Sequence, residues 1–128
     1  MERLFLVLSG VYGFLGVALG AFGAHGLKAR LDALPDGAQR MAWWQTAAQY
    51  HLIHAVALAV AAYLAARTGA GAATVAGFCF AGGVLLFSGS LYVMTLTGVR
   101  VLGAVTPFGG LLMLAGWASV VLAALRLR

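Results

Sequence analysis

Residues 49–54, QYHLIH, place two histidines three positions apart in a run otherwise fit for hydrocarbon. At about 60° apart on a helical wheel, His51 and His54 can both face the interior of a helix bundle. An ionisable side chain inside a membrane is costly, so each raises a functional question and needs a partner. Counted from Trp44 along a helix, His51 lies roughly 10 Å and His54 roughly 15 Å below the interface. Counted back from Thr97 on a later segment, Ser90 falls at roughly 10 Å and Ser88 at roughly 13 Å. Depth therefore pairs His54 with Ser88, and His51 with Ser90 or Tyr92. Such pairs either lock helices together or line a polar pocket. Imidazoles also suit Zn, Cu, Fe or haem, and His25 is a third candidate ligand. His25 ends the first apolar run roughly 10 Å above His51, so a shared site needs an irregular helix end. Gly-Ala-His-Gly at 23–26 could supply one. The chain has no HExxH, no carboxylate after Asp36 and no cysteine near the histidines, so no metal or haem cofactor is expected. A Ser88–His54 pair would lack an acidic orienter, and no catalytic residue is assigned.

The elements that must hold these residues are set by composition. Of 128 residues, 63% are hydrophobic and 9% charged, with a mean hydropathy of +1.00, which excludes the soluble enzyme classes. Uncharged runs cover about 4–24, 44–66, 73–97 and 102–125. Each is near the 20 or so residues that cross a hydrocarbon layer of roughly 30 Å. The expected fold is an all-α membrane protein, one integral domain over 1–128: a bundle of four transmembrane helices with a short interfacial amphipathic helix in the first loop. Arg3 and the small-x-small triplet 21–23 resemble a cleavable leader, but the run is long enough to span and is read as a span. The net charge of +5 is dispersed along the chain, with no basic patch for nucleic acid. Arginines such as Arg67, Arg126 and Arg128 read as interfacial anchors. Cys79 stands alone, without a redox or metal motif.

Four spans put both termini on one face and the first and third loops on the other. Lysine and arginine are tied, with Lys28, Arg30, Arg40 and Arg100 facing Arg3, Arg67, Arg126 and Arg128. The positive-inside rule thus decides little, and the acids at 32 and 36 tip the reading towards cytoplasmic termini. Leu27, Leu31 and Leu34 recur at helical spacing with charges between them, which predicts the surface helix at about 27–34. Asp36 before Gln39 predicts a capping-box start for the second span, followed by Trp43 and Trp44 as an aromatic belt. Gln45 and Gln49 lie on a different face from the histidines and are expected to cap backbone groups.

Small residues organise the rest. Ser9, Gly13, Gly16, Gly20 and Ala24 make the first span a candidate for the centre of the bundle or for a homo-oligomer interface. Ser88, Tyr92 and Thr95 form one polar stripe of the third span, more suited to holding helices together than to conducting a solute. Thr106-Pro107 reads as an N-cap with proline at the first helical position, or as a proline kink in a continuous helix. In the first case the chain at 101–105 is non-helical at membrane depth. Gly109 and Gly110 would then admit a neighbouring backbone or a lipid headgroup.

Four blocks, GAFGAHGL (20–27), WQTAAQYHLIHAVAL (44–58), LFSGSLYVMTLTG (86–98) and VTPFGG (105–110), closely resemble the domain-of-unknown-function 423 family of small bacterial inner-membrane proteins. The animal transmembrane protein 256 also looks like a relative. The resemblance implies a four-span protein of the inner membrane and carries no established activity. Topology gathers all four blocks in the loop-side half of the bundle, which places a polar pocket at His25, His51, His54, Ser88, Ser90, Tyr92 and Thr106, with Gly13, Gly16, Gly20, Pro107, Gly109 and Gly110 packing around it. The expected function is a non-enzymatic protein that binds a lipid or small ligand there, or a subunit of a larger assembly. An oligomeric small-solute transporter and a His-ligated metal or haem protein are the alternatives. Membrane lipids, further copies of the chain and a protein partner or small ligand are the expected partners.

Overall fold

The computed structural model describes residues 1–69 and 71–127, and Arg128, one of the expected anchors, lies outside them. Four helical stretches are long and apolar enough to cross a membrane: Glu2–Leu31, Gly37–Thr68, Gly71–Thr97 and Arg100–Ala124. No strand occurs among the described residues. The first stretch is α1 (Glu2–Phe22), a π-helical turn (Gly23–Leu27) and α2 (Lys28–Leu31) without a break. The helical turn expected in the first loop is therefore present, but as a continuation of the first span and shorter than 27–34. Trp44 is the cause. Its indole lies so close to Gly23 that any Cβ there would collide with the ring, and its Nε1–H donates to the Leu19 carbonyl at 2.9 Å. A side chain inserted against a helix in this way is a usual origin of a π turn. Leu27 and Leu31 are buried with Trp44, while Leu34 is exposed. Trp44 is thus a core residue and not part of an interfacial belt; Trp43, half-buried, keeps that position with the Arg100 guanidinium over its ring.

The second span, α3 (Gly37–Thr68), starts at Asp36 without a side-chain cap. The Asp36 carboxylate instead accepts two hydrogen bonds from Arg40 Nε, both 3.0 Å, with Arg100 at 3.8 Å. The Arg40 hydrogen bond holds the Asp36 carboxyl below the usual carboxylate range. Arg40 also donates to the Thr95 carbonyl, and the Thr95 hydroxyl returns a bond to the Arg40 carbonyl. This clamp fastens the start of α3 to the end of α4 (Gly71–Thr97). Gly98 follows at φ 75° with the Arg40 guanidinium against it, a position only glycine fills comfortably.

The fourth stretch tightens where either a break or a proline kink was expected. A 3-10 segment (Arg100–Ala104) runs into α5 (Thr106–Ala124) through Val105. The bonds Leu102 N to Val99 O, Val105 N to Leu102 O and Phe108 N to Val105 O carry the i to i−3 pattern across the junction. Pro107, which has no N–H to lose, sits in the first turn of α5. Thr106 is not the cap, because Val105 holds that position and no side chain caps it.

Helices α3 and α4 form the central pair, with α1 packed on α3 and α5 on α4. The core is rich in alanine, with Ala55, Ala57, Ala61, Ala62, Ala76 and Ala81 around Phe5, Leu58, Phe80 and Met113. Large side chains settle on glycines of the neighbouring helix: Phe5 on Gly77, Phe80 on Gly116, Met113 on Gly83 and Leu52 on Gly16. In lipid, where apolar burial between helices gains little, such close fits supply the attraction. Gly13 and Gly20 do not take part. A Cβ at either would meet nothing within 4 Å, so α1 flanks the bundle rather than occupying its centre.

Candidate functional site

His51 and His54 are both buried, at 5% and 3% exposure. Their 60° separation has a consequence that depth counting could not supply: α4 packs between their directions, and each ring serves a different side of it. His51 meets Tyr12 of α1 and Tyr92 of α4. His54 meets Phe80 of α4 and Trp117 of α5.

On the α5 side, every polar atom of His54 is matched. Its Nδ1 lies 2.7 Å from the Tyr50 carbonyl, and the Trp117 indole Nε1–H donates to its Nε2 at 3.2 Å. An indole nitrogen can only donate, so Nε2 is the acceptor and Nδ1 carries the proton that goes to Tyr50. The ring is thereby fixed in one neutral tautomer. It borders an apolar groove of about 510 Å³ lined by Tyr50, Phe87, Pro107, Gly110, Leu114 and Trp117, among others. Ser88, the partner expected from depth, donates to the Ala47 carbonyl at 2.8 Å instead. Ser90 donates to the Phe87 carbonyl at 3.0 Å, which leaves Thr106 to donate to Ser90 across 2.7 Å. The Ser90–Thr106 bond ties α4 to the start of α5, and explains why the Thr106 hydroxyl caps nothing. Gly109 makes that approach close, since a Cβ on it would strike the Phe87 backbone, whereas Gly110 is in ordinary contact with the Phe87 ring.

On the α1 side the accounting does not close. His51 Nδ1 faces the Tyr92 hydroxyl at 3.3 Å, as one of the depth assignments expected. Its Nε2 is buried and makes no hydrogen bond of good geometry among the described residues; the Tyr12 backbone carbonyl lies on that side of the ring, whose edge beside Nε2 packs on Gly16. The Tyr12 ring stands edge to face with it, centroids 5.5 Å apart, and the Tyr12 hydroxyl donates to the Ala81 carbonyl across the cleft. These groups line a cleft of about 140 Å³ between α1 and α4, closed by Leu15, Leu19, Val84, Leu85 and Gly89.

His25 does not join either site. It is exposed on the π turn, and the described residues contain no group of three His, Cys, Asp or Glu side chains placed to hold a metal ion. Gln45 and Gln49 are exposed and no backbone group is capped by them among the described residues. Tyr12, Tyr50 and Trp117 were not singled out from sequence. Only their aromatic type and their depth match to the histidines could have marked them.

Comparison with known proteins agrees with this architecture. Residues 19–110 match the family model described as a protein of unknown function, DUF423. The membrane protein YwdK of Bacillus subtilis, of the uncharacterised UPF0382 group, is 42% identical over 97% of this chain and 98% of its own length. The inner membrane protein YgdD of Escherichia coli K12, of the same group, is 39% identical over 99% of this chain and 93% of its own. No solved structure matches. With four apolar spans and relatives of this kind along nearly its whole length, the chain belongs to the DUF423 family of multi-pass inner-membrane proteins.

Proposed function

We propose that this protein is a non-enzymatic membrane receptor for a small lipophilic ligand, which enters the α1–α4 cleft from the bilayer and is held through a hydrogen-bond acceptor such as a carbonyl oxygen. The buried, unpartnered Nε2 of His51 carries this reading. Such an atom costs roughly 1–3 kcal/mol if left unmatched, which makes it a place where a missing partner belongs. The chemistry of that partner follows from counting protons. A neutral His51 and Tyr92 hold one N–H and one O–H between them, and their mutual contact uses one. If Tyr92 donates to Nδ1, the free donor is Nε2–H; if Nδ1–H donates, the free donor is the Tyr92 hydroxyl. In the first tautomer the unmatched Nε2–H selects an acceptor, which is the case proposed; in the second Nε2 is itself an acceptor and the Tyr92 hydroxyl is the spare donor.

Size narrows the class further. A dry cavity of roughly 150 Å³ holds a molecule like benzene, so about 140 Å³ admits a ring or a headgroup fragment but not a whole lipid. The remainder of a lipophilic ligand would lie along α1 in the bilayer. Supporting the non-enzymatic reading, the Ser88 hydroxyl, which borders the same cleft as His51, donates to the Ala47 carbonyl and not to an imidazole. The test is mass spectrometry of organic extracts from protein isolated in native lipid particles. A carbonyl-bearing species should be enriched over the bulk membrane and fall about tenfold in His51→Phe, the loss of one good hydrogen bond to a buried donor. Extracts that do not differ between wild type and His51→Phe would refute the assignment.

A further inference from the structure

The opposite membrane face carries a second cavity, chemically unlike the first. About 540 Å³ of space lies between the ends of α3 and α5, lined by Arg67, Thr68, Leu125, Arg126 and Leu127. We propose that this cavity binds a phosphate group, supplied by the headgroup of an anionic phospholipid. The chain treats its cations differently at the two faces. At the loop face the chain supplies its own carboxylates to three of four cations: Lys28 is 2.8 Å from Asp32, Asp36 serves both Arg40 and Arg100, and Arg30 has none among the described residues. At the termini face Arg3, Arg67 and Arg126 have no carboxylate within ion-pair distance among the described residues, and the Glu2 side chain pairs with none of them. Two of these arginines share one concavity.

Guanidinium is the side chain suited to a phosphate, because its planar fork of donors matches two oxygens at once. Arg67 closes the last turn of α3, and Arg126 follows the end of α5, so both sit at headgroup level. Leu125 and Leu127 give the cavity an apolar side, against which the glycerol and upper acyl chains of a lipid would rest. Free phosphate would satisfy the arginines but leave that apolar side wet, which favours the lipid.

The experiment presents the full chain with phosphatidylglycerol in phosphatidylcholine nanodiscs, counting retained lipid by native mass spectrometry, with inorganic phosphate as the soluble arm. Arg67→Gln/Arg126→Gln should weaken phosphatidylglycerol retention about tenfold or more, as expected for losing charge-assisted bonds. Arg30→Gln, which removes an exposed charge from the other face, should leave it unchanged. Arg67→Lys/Arg126→Lys should recover part of the loss, and either single Gln variant carries the test if the pair does not fold. Arginine-dependent binding of inorganic phosphate that displaces the lipid would keep the phosphate site and reassign its source. Equal retention of both probes by wild type and the Gln variants would overturn the proposal.

Discussion

His51 and His54 differ in what their second nitrogen does, and that difference separates structure from function. The Trp117 N–H fixes His54 as a neutral brace between α3 and α5, while His51 keeps a nitrogen without a partner. Unfolding measurements in detergent should resolve the two roles. Trp117→Phe leaves His54 Nε2 buried and unmatched, so it should cost roughly 1–3 kcal/mol beyond the lost ring area. His51→Phe removes an unmatched nitrogen but also the Tyr92 hydroxyl's partner, so it should cost clearly less than Trp117→Phe. A His51→Phe variant as unstable as Trp117→Phe would mean that His51 is also a brace. The spacing of the two histidines, read as a helix, correctly placed both inside. It could not assign their partners, because depth is a property of one helix and pairing depends on which helix stands beside it. Tyr92 was found this way for His51; Ser88 for His54 was not, since α4 turns that hydroxyl towards Ala47.

Elements show the same limit in their glycines. Small residues four apart mark faces where helices can approach, and α1 carries them at Ser9 and Gly13 and at Gly16 and Gly20. Only contact distinguishes them: Gly109 rests on the Phe87 backbone, Gly16 on Leu52, and Gly13 and Gly20 on nothing within the chain. Gly109→Ala should therefore push α5 from α4, costing about 1–3 kcal/mol as overpacking does and loosening the Ser90–Thr106 bond. Gly13→Ala and Gly20→Ala should be tolerated, with a gain of up to about 1 kcal/mol from helix propensity. Thermal stability of the three variants in one detergent checks the order. The π turn at Gly23–Leu27 and the 3-10 entry to α5 were beyond sequence for a related reason. The first is imposed by Trp44, a residue of another helix. The second is carried by i to i−3 backbone bonds that run up to Phe108, beside a Ser90–Thr106 contact between helices. The four spans themselves needed no such context, being set by hydropathy and length alone.

At the scale of the molecule, the arrangement of α1 and α5 on either side of a central pair leaves each buried ring bordering its own cleft between helices. Three histidines consequently stand in three media. His25 is exposed on the π turn at the loop face, His51 borders the α1–α4 cleft with one nitrogen free, and His54 has both nitrogens engaged. Acylation by diethyl pyrocarbonate, mapped by peptide mass spectrometry on protein in nanodiscs, should follow that order. His25 should react first, His51 more slowly at a rate limited by entry from the bilayer, and His54 only when the bundle unfolds. A lipophilic carbonyl compound that occupies the cleft should slow His51 selectively, leaving His25 as the internal reference. If His51 were instead as protected as His54 without any ligand, the cleft would be closed to the bilayer and lateral entry would be wrong. Should His54 react alongside His51, the Trp117 bond would not be holding its tautomer, and the division of labour between the two rings would fail with it.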